Sequence, residues 1–160
     1  MYAYIVLLHV VGAFVFALAH GVSIAVSLRL SGVQDRDEMR ALLSLSQLAV
    51  GGLYVGLVLL LIGGVWAGFV GNHWGSAWIW AAIGILVVIT IAMYAIATPF
   101  YGRMRAAAGV TTDPAMLERL GPIGEGELAT MAASTRPIAL AVIGGIGLLA
   151  ILWLMVVKPF

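Results

Sequence analysis

Two histidines, His9 and His20, stand inside Met1–Leu28, a stretch with no charged side chain. Ionisable side chains at membrane depth cost free energy and tend to mark ligand, ion or electron sites. At roughly 100° per residue the pair falls on one helix face, roughly 16 Å apart along the axis. Imidazole is a good axial ligand and a porphyrin needs an apolar slot, so the chemistry this pair suits is ligation of haem b by His9, His20 or both. At the depth of His20 the third apolar segment offers Met93, which would complete a His/Met set. Methionine is also a common bundle filler, so Met93 carries both readings. With no such partner, the sixth position would stay open or be supplied by a second copy of the chain.

The face around His9 also holds Gly12, Ala13, Phe16, His20, Ser23 and Ser27, so one aromatic stands between the histidines in a small or polar stripe. The first two apolar segments form an antiparallel hairpin centred near Arg36, in which residue i opposes residue 72 − i. Gly63 then opposes His9, and Gly52 opposes His20. Two explanations of these glycines stay open. One is close helix packing, with each imidazole hydrogen-bonded across to a carbonyl or serine. The other is clearance for a flat macrocycle, which makes His9, His20, Met93, Phe16, Gly52 and Gly63 the candidate cofactor-binding set.

His73, in Asn72-His73-Trp74, reads as an interfacial residue. Three histidines with no acid inside the apolar segments make a poor zinc or di-iron site. That lack of intramembrane acid or base also argues against a proton-coupled transporter.

These residues need helices to position them, and the composition supplies long ones. The chain has 160 residues, 63% hydrophobic and 9% charged, with net charge +1 and a mean hydropathy of +1.12. Soluble domains carry about a quarter charged residues. No basic run suggests nucleic acid, and the absence of cysteine removes disulfides, thiolate metal sites and iron–sulfur clusters. The expected fold is all-α: a single-domain, four-helix transmembrane bundle with spans at about 2–28, 42–70, 77–100 and 137–157. Thr98-Pro99 is expected to kink or end the third span. In the connection at 101–136, Thr112-Asp113-Pro114 marks a helix start and Gly121-Pro122 its stop.

All seven arginines and all seven acids fall at the connections 29–41 and 101–136. By the positive-inside rule both connections are cytoplasmic and both termini face outward. Trp66, Trp74, Trp78 and Trp153, with Tyr2 and Tyr4, are expected in an aromatic belt at the outer surface. Tyr101, Arg103 and Arg105 are expected as an anchor at the inner one, facing anionic lipid.

The opening YIVLLHVVGAF…SLRL, with His9 in the first helix and Arg29 at its end, resembles a group of bacterial four-helix integral membrane proteins of unknown function. So does the Lys158-Pro159 ending. More distantly the chain is similar to the membrane domain of copper-resistance protein D and to the four-helix, haem-containing protoporphyrinogen oxidase. That resemblance implies a haem ligand at His9. The chain departs from the oxidase in having no lysine in its third helix. The function expected is haem b binding in electron transfer or in a respiratory membrane complex, not a stand-alone enzyme. A cofactor-free accessory subunit and a haem-dependent oxidase of porphyrin precursors are the alternatives. Membrane lipid and a homodimer or larger complex are the expected partners.

Overall fold

The computed structural model describes every residue except Ser31, Gln34, Thr112, Ile123 and Glu125. Its elements are six helices: α1 (Tyr2–Leu30), α2 (Arg36–Val70), α3 (Ala77–Ala107), α4 (Pro114–Leu120), α5 (Glu127–Ala132) and α6 (Arg136–Val157). Four stretches are long and apolar enough to cross a membrane: α1, α2, α3 and Glu127–Val157, which contains α6. A helix of α1's 29 residues spans roughly 43 Å, more than the ~30 Å hydrocarbon core. Four crossings return the chain to the side from which it started. The all-α four-helix membrane bundle expected from the sequence is the observed fold.

Helix boundaries follow local chemistry. Helix α2 starts at Arg36, earlier than the apolar run, because the Asp35 side chain accepts a hydrogen bond from Glu38 N–H. Asp37 and Glu38 in its first turn complement the helix dipole. Helix α4 is capped by Asp113, which accepts from Ala115 N–H, with Pro114 at the first turn. Thr112, the other capping candidate, lies outside the described residues. Helix α3 does not end at Thr98-Pro99: it passes through Pro99 and continues to Ala107. A proline removes one donor and crowds one carbonyl, a local defect that membrane helices tolerate where neighbours re-satisfy the backbone. The two extra turns carry Tyr101, Arg103 and Arg105 along the bundle instead of releasing them into a loop.

The long helices pack in the order α2–α1–α6–α3: α1 lies along α2, α3 along α6, and α1 touches α6. Helices α2 and α3 have few close backbone approaches, and meet through side chains at the arginine-bearing end, where Arg40 Nε donates to the Ala108 carbonyl at 2.7 Å. Near the arginine-bearing end, Val26, Leu30, Met39, Leu43, Phe100 and Met104 form a closed apolar cluster. At the far end Trp78, Ile79, Ala82 and Leu154 knit α3 to α6. Trp78 is therefore buried within that end, whereas Trp66, Trp153 and Tyr4 are exposed. Large apolar side chains such as Leu18, Leu48, Ile91 and Leu149 cover the outer faces, as lipid contact requires.

Candidate functional site

The α1–α2 hairpin has the expected register. A Cβ on Gly63 would lie 2.6 Å from the His9 backbone nitrogen and 2.8 Å from its Cα. One on Gly56 would lie 2.8 Å from Phe16 Cα, and one on Gly12 would lie 2.8 Å from Leu60 Cα. These glycines let two backbones touch. His9 completes the contact by donating from Nδ1–H to the Leu60 carbonyl at 2.8 Å. A carbonyl only accepts, so this bond assigns the proton to Nδ1. Gly64 gives the ring its room, for a Cβ there would stand 2.9 Å from Nδ1. Of the two explanations for Gly63, the one realised is close packing with a cross-helix hydrogen bond.

His20 has a different setting. Gly52, expected opposite it, instead meets Ala19, whose Cβ would lie 3.2 Å from a Cβ on Gly52. The 72 − i register fixes depth but not direction, and adjacent helix positions point about 100° apart. His20 therefore turns from α2 toward α6, where its imidazole edge fills the notch left by Gly144. Phe16 stacks near it, with ring centroids 6.4 Å apart and planes 12° from parallel. His20 is 7% exposed, and its Nε2 is buried without a hydrogen-bond partner.

His20 also lines a partly open cavity of about 210 Å³ to which all four long helices contribute. Its walls follow helical spacing: His20, Ser23 and Ser27 on α1; Ser46, Val50 and Tyr54 on α2; Met93, Ala97, Tyr101 and Arg105 on α3; Pro137, Leu140 and Ala141 on α6. The structure thus brings His20 and Met93 to one cavity. His9, Gly52 and Gly63 are not among its lining residues. Ser27 donates to the Ser23 carbonyl at 2.7 Å, so the Tyr101 hydroxyl donates to Ser27 Oγ in turn. Arg105 lines the end nearest the arginine-bearing surface, and its buried Nε has no hydrogen-bond partner among the described residues. Tyr54 and Tyr94, from α2 and α3, line the cavity yet are largely exposed, which places them at its opening between α2 and α3.

Sequence reasoning missed Ser46, Tyr54, Tyr94 and the inward turn of Tyr101 and Arg105. The signal was available in α3, where Met93, Ala97, Tyr101 and Arg105 recur every four residues. The expected lipid-facing anchor is corrected accordingly. Tyr101 and Arg105 point into the bundle, and Arg103 is paired with Glu127 at 2.6 Å while also donating to the Leu120 carbonyl. His73 lies away from the cavity: its ring is 5.7 Å from that of Trp78, and Tyr2 approaches its Nε2 at 3.4 Å. Lys158 Nζ sits 5.4 Å from the Trp78 ring centroid. Gly84 faces open space.

A haem can be tested against this geometry. His20 and Met93 are suitable donor types on one cavity, and a His9 ring that donates from Nδ1 to a carbonyl has the orientation of many metal-bound imidazoles. Space is the obstacle. Pockets that enclose drug-sized ligands run to roughly 300–1,000 Å³, and a tetrapyrrole is larger than most such ligands. A macrocycle does not fit the 210 Å³ cavity in this conformation, and His20 Nε2 is buried. Among the described residues, no three His, Cys, Asp or Glu side chains converge as a metal site. Comparison of the chain with protein-family models, with curated proteins and with solved structures finds no match.

Proposed function

We propose that this protein is a ligand-binding multi-pass subunit of a bacterial cytoplasmic membrane, with its arginine-bearing end in the cytoplasm and both termini outside. Its histidines serve helix packing first, and its working element is the polar cavity opening between α2 and α3. The cavity itself carries this reading: it gathers the His20 Nε2 and Arg105 Nε atoms, both buried and without a hydrogen-bond partner among the described residues, beside Ser23, Ser27 and Ser46. Buried polar groups without partners are costly, and they persist where function retains them. The role fits an accessory subunit of a larger membrane complex.

A second reading is favoured by one observation, the presence of His20 and Met93 on the same cavity. It is a haem b protein in electron transfer or a respiratory complex, and it requires the helices around the cavity to move apart. An optical spectrum of the detergent-purified protein, expressed with haem supplied, separates the two. The first reading expects no Soret band. A stoichiometric band lost in His20→Ala would overturn it in favour of the second.

A further inference from the structure

The cavity has a chemical polarity that narrows what it can take. Its upper wall is apolar, built from Ile24, Val50, Leu53, Leu140 and Ala97. Its lower end holds Arg105, one turn beyond the Tyr101–Ser27 hydrogen bond. No acid lines it, and among the described residues Arg105 makes no ion pair, while Arg29, Arg40 and Arg103 each have one. What the site lacks is a negative group at Arg105 and apolar volume above it. Arg105 is half-buried with its Nε fully enclosed, and a guanidinium removed from water gains from pairing with a carboxylate or phosphate.

Size and access agree. At 210 Å³ the cavity falls below the roughly 300–1,000 Å³ of sites that enclose a whole drug-sized ligand, which suits a compact head and the first part of a chain. Arg105 lies near the end of α3 that meets the polar connection, the depth at which an amphiphile carries its charge. The gap between α2 and α3, flanked by Tyr54 and Tyr94, lets the remainder of a tail stay in lipid.

We infer that the cavity binds the anionic head of a bilayer amphiphile, a carboxylate or phosphate paired with Arg105, with the first part of its chain running toward His20. The inference rests on the ligand-binding reading above and names the class of ligand. Two sources share this chemistry: free fatty acid and anionic phospholipid.

The test uses the full chain in phosphatidylcholine nanodiscs, titrated with oleate in one arm and prepared with added phosphatidylglycerol in the other. A saturable rise in the thermal midpoint is expected in one arm, which identifies the source. Arg105→Met should weaken that binding by roughly tenfold to a hundredfold, the worth of a charged hydrogen bond. The ligand-free midpoint of this variant should stay level or rise, because an uncompensated charge has been removed. Ala97→Phe, which fills the tail path, should abolish the effect and keep the fold. Binding by Arg105→Met equal to wild type, or no saturable effect in either arm, would overturn the inference. So would a short-chain quinone that binds wild type and Arg105→Met alike and displaces the amphiphile. None of these results affects the spectrum, so failure here is distinguishable from failure of the broader reading.

Discussion

His9 and His20 occupy one stripe of one helix, yet their nitrogens have different partners. His9 spends its Nδ1 proton on the Leu60 carbonyl, while His20 Nε2 is buried with none. Interhelical hydrogen bonds in membranes contribute roughly 0.6–2 kcal/mol. His9→Ala should therefore lower stability by about 1–2 kcal/mol in reversible unfolding by SDS or steric trapping. His20→Leu should cost less, although His20 is the more buried of the two, because it removes an orphaned nitrogen and keeps apolar volume. A larger loss at His20 than at His9 would show that Nε2 has a partner. At this scale the sequence was only partly legible. It showed which side chains were polar inside apolar helices, but Arg105 reads alike as a lipid anchor or a cavity wall until a helix face is assigned. Met93 was found through depth alone, and depth was enough to place it with His20.

The α1–α2 hairpin was the most legible element, because a short connection and paired glycines leave one register. Gly63–His9, Gly56–Phe16 and Gly12–Leu60 all observe it. Azimuth was not legible: one residue of rotation sent His20 to Gly144 and gave Gly52 to Ala19. Nor was the run of α3 through Pro99, since proline disfavours a helix locally while the surrounding helices decide whether it continues. These contacts predict a contrast among glycines. Gly56→Ala and Gly63→Ala force apart two backbones and should cost about 1–3 kcal/mol, the range for overpacking. Gly84→Ala meets open space and should be neutral or stabilising by up to roughly 1 kcal/mol, through helix propensity. The same unfolding assay reads all three. The Arg103–Glu127 pair, with side chains 35% and 22% exposed, ties α5 to α3. Glu127→Gln should speed amide exchange across residues 127–132 and leave global stability little changed. Unchanged exchange there would mean that α5 is held by its apolar contacts alone.

The whole molecule is two helix pairs, α1 with α2 and α3 with α6, joined along α1–α6 and with few close backbone approaches between α2 and α3. That arrangement turns polar residues scattered over four helices into the lining of one cavity. The bundle itself was readable from hydropathy, since four apolar runs and clustered charges admit few other folds. The cavity was not, because it depends on which pair of helices fails to close. The account therefore stands on what the cavity holds in the membrane. Mass spectrometry of an organic extract from the protein, purified in mild detergent from its own membranes, can answer that. It should find one lipid-soluble molecule retained near stoichiometry by wild type and lost from Ala97→Phe, with no tetrapyrrole. A stoichiometric tetrapyrrole, or extracts that are the same for both proteins, would contradict the account.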